Sequence, residues 1–212
     1  MRLYFEPRDR AVALTLVNES DSPIALQADI HSWTQDENGV DKLELTDDLI
    51  VSPPSLRLAP HSKQVVRLAL LLPRDVSRQM TYRLVVREVP EALTANDAGV
   101  QLPIALVLNM PVFVTPAGAK RELTCTLDPD PAKAMGVSCE NHGNAYAQLR
   151  SVELNRAGKT LARFEGGLYL LPGVRKTFAL KVDEPGPVGV GVADLSVTFD
   201  DRKPQSFSVT IP

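Results

Sequence analysis

The sequence contains few of the residues from which catalytic and metal sites are built. It has three histidines, two cysteines and one tryptophan among 212 residues. The histidines, His31, His61 and His142, lie in separate segments, and no Cys/His spacing matches a zinc site. No nucleophile elbow, Walker loop or dinucleotide fingerprint occurs either. We therefore predict that the protein is not an enzyme and that it holds no metal and no cofactor.

A large charge excess and long apolar runs are also missing. The formal net charge is −3 at pH 7, which argues against a nucleic-acid partner and against a polybasic membrane contact. No apolar stretch is long enough to span a bilayer, so we predict no direct insertion into a membrane. No signal peptide is recognisable after Met1, so a secreted protein would be represented here in its mature form.

Helical periodicity is nearly absent, whereas strand and turn signals recur. Seventeen prolines and short alternating segments such as 64–72 and 80–89 predict an all-β fold. About seven or eight strand signals in the first ~115 residues fit an immunoglobulin-like sandwich. The Pro/Gly segment 115–120 predicts a domain boundary. We expect one domain over residues 1–116 and a second small β-sandwich over residues 117–212.

The two cysteines flank a turn sequence. Cys125 and Cys139 lie on either side of residues 128–136, DPDPAKAMG, which predict a turn between two short strands. A disulfide across this hairpin would close a loop of about 15 residues and add ~3 kcal/mol of stability in an oxidising compartment. Two unpaired buried thiols are the alternative interpretation.

The segment 99–116, GVQLPIALVLNMPVFVTP, is the most informative about function. Apolar side chains occupy its even positions, and a side-chain period of two places them on one face of a strand. These residues are Val100, Leu102, Ile104, Leu106, Leu108 and Met110. Pro103 and Pro111 argue against a strand that is paired on both edges. An exposed apolar edge invites pairing with another chain, so we predict a binding element, for which a second copy of the chain is one potential partner.

The same two prolines predict which edge of the strand is open. Backbone N–H groups alternate between the two edges of a regular strand, so the donors that Pro103 and Pro111 lack lie on one side. We predict that this side is the open edge and that the even residues hydrogen-bond to the strand at 82–89. If the N–H groups of the even-numbered residues point to the open edge instead, the prediction is wrong.

Several stretches together carry a family resemblance. They are RLYF at 2–5 followed by ALTLVNESDSPIALQ at 13–27, VSPPSLRLAPHSKQVVRL at 51–68, YRLVVREVP at 82–90, and the edge strand with VFVTP at 112–116. In this order they resemble the periplasmic pilus-assembly chaperones of chaperone–usher systems, the PapD-like family. The stretches at 34–54, 82–84, 110–116 and 141–144 are most similar to the archaic branch, which assembles spore-coat-U-type pili.

The resemblance implies two immunoglobulin-like β-sandwich domains in an L-shaped arrangement. It also implies a chaperone in the periplasm that captures pilin subunits and delivers them to an outer-membrane usher. A pilin subunit is similar to an immunoglobulin domain without its last strand, and the chaperone lends its own edge strand to the open groove. The implied groove-filling residues are Leu102, Ile104 and Leu106 at the centre, with Val100, Leu108 and Met110 beside them.

In this family two basic residues in the cleft between the domains hold the C-terminal carboxylate of the subunit. The first-strand arginine of the family matches Arg2, and arginine suits the role because its planar fork pairs with a carboxylate through two hydrogen bonds. The second basic residue, a lysine in the family, matches Pro111, so this sequence departs from the pattern. Arg83, on the outer face of the neighbouring strand, is the candidate substitute. The alternative for Arg83 and Arg87 is a solvated surface charge.

Two other functions remain open from the residues alone. In an immunoglobulin-like structural or adhesive module without chaperone activity, the edge strand would merely pack on the second domain. In a β-sandwich hydrolase or carbohydrate-binding module, Trp33 would stack on a ligand rather than fill the core of a sandwich.

Overall fold

The fold consists of β-strands throughout the part of the chain that the structure, a computed structural model, describes: residues 1–90, 104–128, 135–183 and 189–211. The all-β prediction is therefore confirmed. Within these ranges no helix is long and apolar enough to cross a membrane. The strands are β1 (Leu3–Phe5), β2 (Ala11–Val17), β3 (Ile24–Gln35), β4 (Asp41–Leu45), β5 (Leu49–Ser52), β6 (Ser55–Leu58), β7 (Lys63–Leu70), β8 (Met80–Glu88), β9 (Val107–Val114), β10 (Leu123–Leu127), β11 (Gly136–Asn141), β12 (Ala147–Arg156), β13 (Lys159–Leu170), β14 (Arg175–Ala179), β15 (Lys181–Val182), β16 (Gly191–Phe199) and β17 (Pro204–Ile211).

The chain divides into two compact units. The first unit comprises Met1–Thr34, Lys42–Val76 and Met80–Ala117, and the second comprises Gln35–Asp41, Ser77–Gln79 and Gly118–Pro212. Each unit has its own cluster of buried apolar side chains, as expected for separate sandwich cores.

The first unit contains two sheets. One sheet has the strand order β1-β9-β8-β3-β4, with β6 also paired to β3, and the other has the order β2-β7-β5. Alternate residues on the strands of both sheets point inward, as the period of two requires. The core residues that these strands supply include Phe5, Leu16, Leu68, Leu84 and Val112.

The second unit contains a sheet with the order β10-β11-β14 and a sheet with the order β15-β13-β12-β16-β17. Its core includes Val137, Leu149, Leu154, Leu195 and Val197, all of them fully buried. The strand order places β12 and β16 between other strands of the larger sheet, and both supply fully buried residues to the core.

The predicted disulfide is present in the second unit. Cys125 and Cys139 are direct partners in the antiparallel β10–β11 ladder, with Cα atoms 4.1 Å apart, and their sulfurs are bonded. Both side chains belong to the core, with exposed fractions of 4% and 0%. The hairpin that they close includes residues 129–134, which lie outside the described part of the chain.

Reduction of this disulfide is expected to destabilise the second unit by ~3 kcal/mol. The bond closes a loop between residues 14 positions apart, and a cross-link of that length restricts the unfolded chain by roughly this amount. Equilibrium unfolding in urea with and without a reductant measures the effect. The variant in which Cys125 and Cys139 are both alanine serves as the control, because a reductant should leave its unfolding midpoint unchanged. If the reductant does not change the urea midpoint of unfolding of the wild type, the prediction is wrong.

A buried asparagine locks a turn in the same way in each unit. Asn18 is 3% exposed and Asn141 is fully buried. In both cases the side-chain oxygen accepts a hydrogen bond from the backbone N–H two residues further on, and the side-chain nitrogen donates to the carbonyl four residues further on. The side-chain nitrogen also donates to a carbonyl distant in sequence, that of Ala59 for Asn18 and that of Leu170 for Asn141. The two units therefore share a structural repeat that is not evident as a sequence repeat.

Candidate functional site

β9 is paired on both edges at its end but on one edge only at its beginning. Along its whole length it pairs with β8 in antiparallel register, from Val107 opposite Arg87 to Val114 opposite Met80. On the other edge β1 pairs with it in parallel, and only over residues 112–114. Among the described strands, none pairs with this outer edge over residues 107–111. With respect to the described strands, the first half of β9 therefore presents an open backbone edge.

The backbone N–H groups of β9 point to the edges that the prolines predict. Those of even-numbered residues point to β8, and those of odd-numbered residues point to the opposite edge. The N–H of Glu88 donates to the carbonyl of Leu106 at 2.8 Å, so this even residue faces β8. The N–H of Thr115 donates to the carbonyl of Phe5 at 3.0 Å, so this odd residue faces the opposite edge. Because the β8–β9 register is regular between these two points, Pro111 also faces away from β8. Its missing donor therefore costs the β8–β9 ladder nothing.

The regular strand begins later than the apolar pattern predicts. β9 starts at Val107, whereas Ile104 and Leu106, which belong to the apolar alternation, lie before its first residue. One physical reason lies at Leu106, whose N–H donates to the side-chain Oε2 of Glu88 at 3.1 Å rather than continuing the backbone ladder. Three of the predicted positions, Val100, Leu102 and Pro103, lie outside the described residues.

The even side chains pass from the core to solvent along this segment. Met110 is 5% exposed, Leu108 is 37% exposed, Leu106 is 54% exposed and Ile104 is 90% exposed. Met110 packs in the core of the first unit, so it ends the exposed face rather than extending it. The face that fills the core at one end of the strand is thus solvent-exposed at the other end.

The two arginines of the predicted anchor lie on either side of β9. Arg83 is the partner of Pro111 in the β8–β9 register. Arg2 directly precedes Leu3, which is the partner of Val112 in the β1–β9 register. Both arginines therefore lie within one residue of the same level of the sheet. Because they flank β9, two strand spacings of ~4.8 Å place their backbones about 10 Å apart.

An aromatic row, formed by Tyr4, Phe113 and Trp33, joins the two arginines across the sheet face opposite the core. Nη1 of Arg2 lies 3.5 Å from the Tyr4 hydroxyl oxygen. The Tyr4 ring stacks on Phe113 with centroids 5.5 Å apart, and Phe113 contacts Trp33 at 6.1 Å. The guanidinium carbon of Arg83 lies 3.7 Å from the centroid of the Trp33 ring. Residues that are distant in sequence thus form one continuous side-chain layer.

The structure separates the roles that the sequence left open for Trp33 and Arg87. Trp33 is fully buried, so its ring is not accessible to a sugar, but it lies on the sheet face opposite the apolar core and does not fill that core. Arg87 forms an ion pair with Asp29 on β3 and keeps 44% of its side chain exposed. Arg87 thus corresponds to the surface charge of the alternative interpretation, whereas Arg83 lies against an aromatic ring.

Within residues 1–90, 104–128, 135–183 and 189–211, no group of three or more His, Cys, Asp or Glu side chains could hold a metal ion. The site combines the apolar side chains of Ile104, Leu106 and Leu108 with the backbone edge of β9 and the positive charges of Arg2 and Arg83.

Several solved structures share this fold over nearly the whole chain. They are a chain of the CsuC–CsuE chaperone–tip adhesion subunit pre-assembly complex from the archaic Csu pili of Acinetobacter baumannii (TM-score 0.72, 16% identity, covering 98% of this chain and 94% of that chain), the CupB2 chaperone of Pseudomonas aeruginosa (0.62, 20%, 100% and 97%) and a chain of the SafA pilin–SafB chaperone complex of Salmonella enterica (0.66, 18%, 99% and 93%). Identities this low show a shared fold alone, so the archaic branch stays a prediction.

Sequence comparison assigns the family. No curated protein matches the chain. Residues 1–120 match the model of the pili and flagellar-assembly chaperones, PapD N-terminal domain, and they include β9, both arginines and the aromatic row. Because this match covers more than half of the 212 residues, the chain belongs to the family of pili and flagellar-assembly chaperones, as its sequence resemblance predicts.

Proposed function

We propose that the protein is a periplasmic chaperone that binds pilin subunits by donor-strand complementation and delivers them to an outer-membrane usher. Membership of the chaperone family supports this function. Two structures with the same fold come from complexes of a chaperone with a tip adhesion subunit and with a pilin. The observation that carries the proposal is the apolar face of Ile104, Leu106 and Leu108, which is exposed beside an open backbone edge.

A partner strand along this edge would gain two kinds of interaction. The odd residues of β9 direct their N–H groups toward it and can donate main-chain hydrogen bonds. The even residues would enter the groove of the subunit, where each fully buried side chain of this size contributes ~1.5–3 kcal/mol. Five donor residues, Val100 to Leu108, would together contribute on the order of 10 kcal/mol before ordering costs. The apolar face therefore dominates the affinity.

The anchor for the C-terminal carboxylate of the subunit is proposed at Arg2 and Arg83. Both lie on one face of the sheet, close to the level of Pro111, where the family lysine is missing. An arginine on β8 would supply the positive charge that β9 lacks here, and its fork can hold both carboxylate oxygens. Because one ion pair contributes less than the apolar face, the anchor serves mainly to set the register of the bound strand.

Replacement of Val107 by proline is expected to weaken subunit binding about tenfold without unfolding the first unit. Val107 is 56% exposed, and the phase of β9 directs its N–H away from β8. Proline removes this donor and hence one interstrand hydrogen bond, worth about 1–1.5 kcal/mol. The measurement is a titration of the chaperone with a purified pilin subunit.

The matched control is Val107→Ala, which removes the same side chain but keeps the N–H. We expect it to bind within about threefold of the wild type, because Val107 is not on the even face. Equal affinities of the two variants would rule out backbone pairing at this position. Thermal unfolding of both variants checks that the first unit stays folded.

A further inference from the structure

We infer that Trp33 is a positioning residue, which holds the Arg83 guanidinium flat and thereby sets its selectivity for a terminal carboxylate. The inference rests on the proposed role of Arg83 as an anchor. It adds a residue that makes no contact with the subunit and acts only through the arginine.

The Arg83 guanidinium is in van der Waals contact with the indole. Its central carbon lies 3.7 Å from the ring centroid, the geometry of a cation–π contact. Arg83 is the direct partner of His31 in the β3–β8 register, so its side chain reaches diagonally to the residue two positions further along β3. A guanidinium that stacks on the ring with its flat face directs its N–H donors sideways, in its own plane. A planar carboxylate can meet them edge to edge.

The platform under the guanidinium is itself fixed. Trp33 is fully buried, and its ring lies 6.1 Å, centroid to centroid, from Phe113 on β9, which is separated from β3 by β8. Its carbonyl oxygen accepts a hydrogen bond from the Thr81 hydroxyl at 2.5 Å. A fixed ring confines the long arginine side chain before any ligand arrives, so binding a carboxylate requires less ordering of that side chain.

This arrangement also accounts for the missing lysine on β9. Pro111 carries no charge, and Arg83 reaches the same level of the sheet from β8. An ammonium group has no flat face to place on a ring, whereas a guanidinium stacks and keeps its donors directed. The stacked arginine is therefore a better substitute at this position than a second lysine would be.

The experiment compares two ligands that differ only in the anchored group. Wild type and variants are titrated with a pilin subunit that ends in a free carboxylate and with the same subunit prepared by protein ligation with a C-terminal amide. The ratio of the two dissociation constants measures selectivity for the carboxylate. Trp33→Leu removes the aromatic face and is expected to lower this ratio about threefold to tenfold. Trp33→Phe keeps an aromatic face and is expected to retain most of the ratio.

A purely structural Trp33 would weaken the binding of both ligands equally, and an unchanged ratio in Trp33→Leu would overturn the inference. If Trp33→Leu does not fold, Arg83→Lys decides, because it keeps the charge but loses the stack. We expect it to lower the ratio to a similar extent, and a wild-type ratio would overturn the inference. Arg83→Ala tests the proposed anchor separately. If Arg83→Ala leaves the ratio unchanged, the assignment of Arg83 as an anchor fails. If Arg83→Ala lowers the ratio but Trp33→Leu does not, the anchor stands and only the role of Trp33 is refuted.

Discussion

Replacement of Ile104 by arginine is expected to weaken the binding of a pilin subunit by more than a hundredfold. Ile104 is 90% exposed in the free protein, so folding of the chaperone should not change. In the complex the new guanidinium would enter an apolar groove, where an unpaired charge costs several kcal/mol and the burial of the isoleucine, ~2 kcal/mol, is lost. A loss of 3 kcal/mol already corresponds to a factor of more than a hundred in the dissociation constant. The measurement is the titration with a pilin subunit described above.

The control for this experiment is Ile50→Arg. Ile50 is 50% exposed and lies on β5, in the other sheet of the first unit. The variant Ile50→Arg introduces the same charge by the same substitution. We expect its affinity for the subunit to stay within about twofold of the wild type, because exposed substitutions away from a binding face have small effects. Equal affinities of Ile104→Arg and Ile50→Arg would refute the donor-strand proposal. In an adhesive module, ligand binding would survive both changes.

Features that depend on neighbouring residues could be predicted from the sequence. The alternation in the segment 99–116 indicated a strand with one apolar face, and the odd positions of its prolines indicated the open edge. Both are local consequences of a period of two. The pairing of Cys125 with Cys139 also follows from a short hairpin. The family resemblance then placed these local signals in one fold.

Features that depend on strand order could not be predicted in this way. Tyr4 meets Phe113 because β1 pairs in parallel with β9, a contact between the two ends of the first unit. The alternation of side chains along β8 placed Arg83 on the outer face of the sheet. Only the pairing of β8 with β3 brings it to Trp33. The N–H of Leu106 bonds to the side chain of Glu88, which competes with the backbone ladder for this donor. Such contacts are set by tertiary packing, so no local pattern carries them.

Replacement of Asn141 by alanine is expected to lower the free energy of unfolding of the second unit by ~3–5 kcal/mol. Its side-chain nitrogen donates to the carbonyls of Ala145 and Leu170, at 2.8 Å and 3.1 Å. Its side-chain oxygen accepts from the N–H groups of Gly143 and Glu122, at 3.1 Å and 3.3 Å. Alanine would leave these backbone groups without the partner that the fully buried amide supplies, and each buried unsatisfied group costs ~1–3 kcal/mol.

Equilibrium unfolding in urea compares this variant with Asn155→Ala. Asn155 also lies in the second unit, is half-buried, and accepts a hydrogen bond from the Thr160 hydroxyl at 2.7 Å. Its replacement is expected to cost about 1 kcal/mol, the net value of one ordinary hydrogen bond. If the two variants unfold at the same urea concentration, the asparagine lock is not a main source of stability. Asn18→Ala should then also be mild, because Asn18 makes the same i+2 and i+4 contacts in the first unit.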